Sequence, residues 1–421
     1  MILAAFRVRS FRFQFPADLL TSLAFEMETV ILSWYIISQT GSVLLLTAYG
    51  SVLYLGTLLS PMYGVLGDRL GGRAVLFAMR AVYVVLALTL AILSLSGRLT
   101  PLSVFVIAAV AGLVRPNDLV LRNSLIGETI PSQHLMGAVG LSRLTADCAR
   151  VLGALAGAEI STFLGIGPAY LLVTLFYAAS LALTFGVARR RPAADPGRDA
   201  GAVALAISGP SRGRDLKDGV LFVWRTPALL APIWLAFLIN LTAYPVSNGI
   251  LAYTAKNVFA VGATGLGWLV AAFAFGGLLG SVSTIVTGGP RRPERFMMIC
   301  TAIWYAILLG FGHAGSLRTG LLALLLAGFV QNVAMISMTA SLLTAAGERF
   351  RSRVMGVRML AVYGLPLGLM AAGALIDLIG YPATITALAV VGLAFTLLIG
   401  VKWRASLWRS PARLTSARRS G

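Results

Sequence analysis

Three ionisable residues interrupt an apolar run in the stretch "LVRPNDLVLRNSL", Leu113 to Leu125. Arg115, Asp118 and Arg122 are spaced three and four apart, which puts their side chains on one face of a helix. A second stretch, "SRLTADCAR", repeats the device in mirror order, with Arg143, Asp147 and Arg150 spaced four and three. Such a set can hold a structural salt bridge, relay a proton, or bind an anionic group such as a carboxylate or catecholate, to which Arg is suited. Each set can pair internally and leaves one positive charge over, a surplus of two for the pair of sets. Acids of this chain, Glu26, Glu28 and Glu159 among them, could neutralise that surplus. The sets would then form a gate. If a substrate anion neutralised it instead, they would form the binding site.

Glu26 and Glu28 lie in "TSLAFEMETVILSWY", Thr21 to Tyr35. Two positions on a helix are about 200° apart, so the two carboxylates cannot share one cavity. Glu26 falls on a polar stripe with Ser22, Thr29 and Ser33, and Glu28 on a sparser one with Thr21 and Tyr35. Glu26 is therefore the first candidate to face a cavity and carry a proton, with Glu28 against a neighbouring helix. Asp147 beside Arg150 is a third proton-coupling candidate. Later in the chain the polar candidates are amides, Gln331 and Asn332 with Asn240 and Asn248, accompanied by Trp234, Tyr244, Trp268, Phe273 and Tyr363. Charge in one part and amide and aromatic surface in the other suits a large amphipathic ligand held between them.

The elements that must position these residues are membrane helices. The 421 residues are 58% hydrophobic and 12% charged, about half the charge of a soluble domain. A crossing helix needs roughly 20 mostly apolar residues. Such runs fall near 18–39, 44–66, 74–95, 101–122, 136–163 and 167–188, then near 229–252, 263–287, 296–313, 318–341, 354–377 and 382–402. The twelve divide into an N-terminal six-helix bundle at 1–188 and a C-terminal one at 227–403, with a polar linker at 189–226 and a basic tail at 404–421. An ionisable residue at mid-bilayer costs ~2.5–3.5 kcal/mol on insertion scales and demands a partner or a wet cavity. Arg115, about 21 Å along its helix from Pro101 at 1.5 Å per residue, is the expensive one.

Basic residues collect in short clusters near 7–12, 69–73, 189–191, 291–295, 349–353 and 402–419, all on one side, against Arg98, Lys256 and Arg318 on the other. By the positive-inside rule both termini are cytoplasmic, in a bacterial cytoplasmic (inner) membrane. The same scatter argues against nucleic acid as the partner of the +19 net charge. No small-residue cleavage site follows the first apolar run, so no cleavable signal peptide is expected.

Between the second and third spans lies "GVLGDRLGGRAVL", Gly64 to Leu76. Gly64 and Gly67 permit close helix approach; Asp68 can cap the next helix and pair with Arg69 or Arg73. This loop closely resembles the G-x-L-(A/G)-D-R-x-G-R-R-x-x-L motif of the major facilitator superfamily, with Gly72 where an Arg is usual. A degenerate second copy is "GGPRRPERFM" at 288–297. Further stretches, "TGSVLLLTAYGSVLYLG", "LKDGVLFVWRTPALLAP" and "RSRVMGVRMLAVYGLPLGLMAAGALIDLIG", look like its proton-driven drug-efflux branch, which includes macrolide exporters and enterobactin-type siderophore exporters. The fifth span reads "ARVLGALAGAE", with Ala154 where that branch commonly has Pro. The resemblance implies an all-α major facilitator fold of 12 transmembrane helices that works as a monomer by alternating access, with the fourth and fifth helices adjacent. It implies a latch made by Asp68, Arg69 and Arg73, protons as the coupling ion, an amphipathic small-molecule cargo, and no cofactor. A lipid or lysophospholipid flippase, or an uptake carrier, is the alternative on the same fold.

Other chemistries find little support. His134 and His313 lie in loops on opposite sides, so they build no intramembrane metal site. There is no Gly-rich phosphate loop ending in Lys-Ser or Lys-Thr, and no nucleophile with a base at plausible spacing, so an enzyme is not expected. Cys148 and Cys300 sit in apolar runs and imply no disulfide framework.

Overall fold

Inside a bilayer every backbone N–H and C=O needs a partner within the protein, and a chain of long apolar segments meets that demand as helices. The computed structural model describes residues 6–59, 66, 70–129, 132–187, 221, 223–224 and 226–408. The described chain is helical, with no strand among the described residues. In order it runs α1 (Arg9–Thr40), α2 (Val43–Val52), α3 (Gly72–Leu95), α4 (Pro101–Thr129), α5 (Ser132–Phe163) and α6 (Ile166–Thr184). It continues with α7 (Pro227–Val258), α8 (Ala263–Thr287), α9 (Pro293–Gly312), α10 (Leu317–Leu360), α11 (Gly364–Ile379), α12 (Tyr381–Lys402) and a short α13 (Arg404–Trp408). Nine segments of the described residues are long and apolar enough to cross a membrane. The other three predicted spans coincide with α2, which is short as described, and with α4 and α5, which carry the charged sets.

Two boundaries differ from expectation. The helix α1 begins at Arg9 rather than near 18, because "RSFRFQF" joins the helix instead of preceding it. Helical structure is also continuous through α10, across the expected break at 342–353. Even so, Arg358 Nη1 donates to Thr339 Oγ1 at 2.8 Å. Residues that far apart would be separated by about 28 Å on a straight helix, so the chain reverses between them and two antiparallel apolar stretches result.

Packing groups the chain into two compact units, residues 1–210 with 249–274, and residues 211–248 with 275–421. In the first unit α1 lies against α5 and α6, and α3 against α4 and α6. Small residues set the close approaches. A Cβ on Gly56 would sit 2.1 Å from the carbonyl oxygen of Leu113, and one on Gly112 would sit 2.2 Å from that of Val52. A Cβ on Gly157 would meet the Met27 backbone at 2.7 Å, so α5 rides directly on α1. In the second unit α9 packs on α10 and α12, and the first part of α7 packs on α10, α11 and α12.

Candidate functional site

The helix α1 is the spine of the charged region. It runs antiparallel to α4, so the order of partners reverses: the later residue on α1 meets the earlier residue on α4. Glu28 is buried and pairs with Arg115. The Tyr177 hydroxyl from α6 donates to Glu28 Oε2 at 3.0 Å, and the Arg115 guanidinium lies over the Phe25 ring at 4.4 Å. Ten positions earlier on α1, Asp18 receives two guanidinium groups, that of Arg80 from α3 and, at 3.5 Å, that of Arg122 from α4. Arg122 also pairs with Asp118 one turn back and donates to Ser22 Oγ at 2.9 Å and to the Asp18 carbonyl at 3.2 Å. Arg80, 0% exposed, makes a further hydrogen bond to Thr184 Oγ1 on α6. Gln14 donates to the Arg122 carbonyl at 3.1 Å.

Three guanidinium groups (Arg80, Arg115, Arg122) therefore face three carboxylates (Asp18, Glu28, Asp118) in the interior of the first unit. A buried charge without a partner is far costlier than a buried pair, so this balance is what allows so many ions among apolar helices. The α5 set lies further out. Arg143 pairs with Asp147 at 3.7 Å, and Arg150 reaches Glu26 at 3.3 Å. The latter is a looser arrangement, with the side chains 46% and 24% exposed. Gly153 brings α5 against α1 at Glu26, where an added Cβ would lie 2.8 Å from the Glu26 Cβ.

The expected internal pairing is thus present for Arg122 with Asp118 and for Arg143 with Asp147. Arg115 is the charge left over in its set, and it turns to Glu28 on α1. The surplus positive charges meet acids of the chain itself. Asp18 and Arg80 were missing from the sequence candidates. Asp18 coincides with the expected start of the first span, near 18. Arg80, in "LFAMRAVYVVL", was open to the same reasoning that singled out Arg115.

Elsewhere in the first unit, Arg73 donates to the Phe185 carbonyl at 2.7 Å, tying the start of α3 to the end of α6. Gly64, Gly67, Asp68 and Arg69 lie outside the described residues. Lys256 Nζ donates to the Ile37 carbonyl at 2.7 Å and so caps the end of α1. Thr264 on α8 donates to Glu159 Oε2 at 3.4 Å, and Gly267 lets α8 approach α5, where a Cβ would be 3.1 Å from the Ala154 carbonyl oxygen.

In the second unit Gln331 Nε2 donates to Tyr244 Oη at 2.7 Å, and the Tyr244 ring stands edge-on to Trp304 with centroids 5.3 Å apart. Asn332 directs its amide N–H groups to the Gly277 carbonyl at 2.7 Å and to Ser281 Oγ at 3.0 Å, bracing α10 on α8. Asn240 bonds within its own helix, to the Ala236 carbonyl at 2.9 Å. Trp234 and Asn248 are exposed; in the first unit Trp268 is exposed and Phe273 is buried. Among the described residues no group of three or more His, Cys, Asp or Glu side chains could hold a metal ion.

Comparison with known proteins supplies the class. A curated relative, the multidrug efflux pump Tap of Mycolicibacterium fortuitum, is 25% identical over 386 residues, covering 88% of this chain and 89% of that protein. Solved structures share the fold at low identity. A peptide transporter POT variant in complex with sulfate has a TM-score of 0.72 at 11% identity, covering 95% of each chain. A bacterial homologue of the human lysosomal transporter Spinster, inward-facing and unoccupied, has a TM-score of 0.69 at 14% identity over 95% of this chain and 98% of that one. The nucleoside transporter NupG has a TM-score of 0.68 at 13% identity over 94% and 100%. The family model of the Major Facilitator Superfamily matches residues 15–362. With its helical membrane fold and that match along most of its length, the chain belongs to the major facilitator superfamily of membrane transporters.

Proposed function

We propose that this transporter exports an amphipathic small molecule, drug-like or siderophore-like, in exchange for protons, by alternating access between two six-helix bundles, at 1–188 and 227–403. The relative named as a multidrug efflux pump supports export and the cargo class. The observation that carries proton coupling is Glu28, a carboxylate buried within an apolar span and held by Arg115 and the Tyr177 hydroxyl. Protonating Glu28 removes the charge that fixes Arg115 to α1. Arg115 is then left uncompensated between helices, and relief comes from a change in helix packing or from deprotonation. Cargo that favours one packing over the other thereby becomes linked to the proton. Glu26 and Asp147, on the more open α5 side, are the route by which a proton reaches or leaves this centre. Arg122, Asp118 and Arg143 hold the gate. The amide and aromatic groups of the second unit, Gln331 with Tyr244 foremost, offer surface to the cargo. The loop residues Gly64, Gly67, Asp68 and Arg69, with Arg73, latch the inward-closed state. The chain works as a monomer in a bacterial inner membrane with both termini cytoplasmic.

The test is transport in proteoliposomes with an imposed pH gradient and a fluorescent amphipathic cation as cargo. Glu28→Gln should abolish stimulation by the gradient and flatten the pH dependence while leaving downhill exchange of cargo. Glu26→Gln should reduce the stimulation only in part. Gradient-driven transport at the wild-type level in Glu28→Gln would refute the assignment. Arg115→Ala that lost anionic cargo alone would instead make this arginine a reader of substrate. Movement of labelled lysolipid between leaflets would favour a flippase.

A further inference from the structure

The second unit has a groove that none of the residues assigned to transport lines. It lies between α9 and α12, has a volume of about 420 Å³ and is lined in part by α13. Ile299 and Ala302 of α9, Leu397 and Val401 of α12, and Arg404 and Trp408 of α13 line it. The short helix is held firmly. Trp408 Nε1 donates to the Gly400 carbonyl at 3.3 Å. Arg295 lies over the Trp408 ring at 5.5 Å and donates to the Trp408 carbonyl. Leu407 is buried beneath it. Beside it, the Lys402 ammonium lies over the Trp403 ring at 4.8 Å.

Arg404 and the Trp408 indole line the groove and Arg295 lies against that indole, while the adjoining sequence adds Arg291, Arg292 and Lys402 against one acid, Glu294. Tryptophan and basic residues together mark the membrane–water boundary. The walls are apolar and open to the surroundings, with Leu397 57% and Val401 71% exposed. On helices that cross a bilayer such residues meet hydrocarbon, so an occupant enters sideways from the lipid. An acyl chain along Leu397 and Val401 with a negative phosphate at Arg404 and Arg295 satisfies both halves of the groove. A basic pocket between membrane helices is suited to anionic headgroups.

We propose that the α9–α12–α13 groove binds one anionic phospholipid from the leaflet on the side of the basic clusters. A water-soluble anion would leave the apolar walls unused, and a zwitterionic lipid would leave the excess positive charge unmatched. The experiment is native mass spectrometry of the full chain, purified in mild detergent with phosphatidylglycerol or phosphatidylcholine. Wild type should retain one phosphatidylglycerol that phosphatidylcholine does not replace. The paired change Arg295→Gln with Arg404→Gln should lose that lipid. Leu397→Trp, which fills the groove at an exposed position and leaves every charge in place, should lose it as well. Retention of the lipid in either variant would overturn the proposal. So would its displacement by millimolar inorganic phosphate or glycerol phosphate, which would make the site one for a soluble anion.

Discussion

Replacing Asp18 with Leu would leave the fully buried Arg80 guanidinium without its carboxylate, held by the Thr184 hydroxyl, and would leave Arg122 with Asp118 as its carboxylate. Breaking a buried ion pair from one side typically costs about 3–5 kcal/mol. Replacing Arg80 with Met is milder, because Asp18 keeps Arg122 at 3.5 Å; loss of a charge-assisted hydrogen bond suggests about 1.5–3 kcal/mol. The double variant removes one positive and one negative charge together, and the remaining interior charges still balance. Its cost should stay near that of the milder single change, as exchange of a buried pair for apolar side chains is often close to neutral. The expected coupling is therefore at least about 2 kcal/mol, well over tenfold in the unfolding equilibrium. The assay is unfolding in mixed micelles of dodecyl maltoside and increasing dodecyl sulfate, followed by the fluorescence of the 7 tryptophans. If the double variant lost the sum of the two single losses, within about 0.5 kcal/mol, the charge-balance reasoning would fail.

The same assay should separate the two glutamates of α1. Glu26→Gln should cost no more than about 1 kcal/mol, since its pair with Arg150 is partly exposed, whereas Glu28→Gln, which strands Arg115, should cost several-fold more; equal losses would contradict the burial of the inner pair. Gly112→Leu should lower the yield of folded protein and its midpoint, because even a Cβ there meets the Val52 carbonyl oxygen at 2.2 Å; a wild-type midpoint on thermal denaturation would count against the close approach of α4 to the α2 segment. Lys256→Met should raise amide hydrogen exchange in the last turn of α1 near residues 37–40, where the ammonium caps the Ile37 carbonyl, and unchanged protection would show that the cap contributes little. Downhill exchange of cargo, measured across a pH series, should lose its pH dependence in Glu28→Gln and keep it in Glu26→Gln; an unchanged pH profile in Glu28→Gln would count against the assignment.

Much of the architecture was legible from hydropathy, because a chain that must satisfy its backbone within lipid announces each crossing by a long apolar run. The loop at Gly64 to Leu76 and the later stretches gave the family. What misled were local signals at the membrane boundary. The first span is expected from about 18, behind the basic cluster near 7–12, yet α1 begins at Arg9, so Asp18 lies well inside the helix, where it is buried. Likewise the expected break at 342–353 is a reversal that the chain makes without leaving helical geometry.

On a single helix, spacing settles neighbours: Arg122 meets Asp118 and Arg143 meets Asp147, as the four-residue interval requires. Spacing says nothing about the height of one helix against another. Glu28 meets Arg115, and Asp18 meets both Arg80 and Arg122, because α1 and α4 run antiparallel and because Gly153 and Gly157 seat α5 on the neighbouring face of α1. Sequence by itself determined that these helices carry more ions than lipid tolerates alone. Only the tertiary structure decided which carboxylate compensates which guanidinium, since compensation at a few ångströms depends on helix register and direction, neither of which a one-dimensional pattern contains.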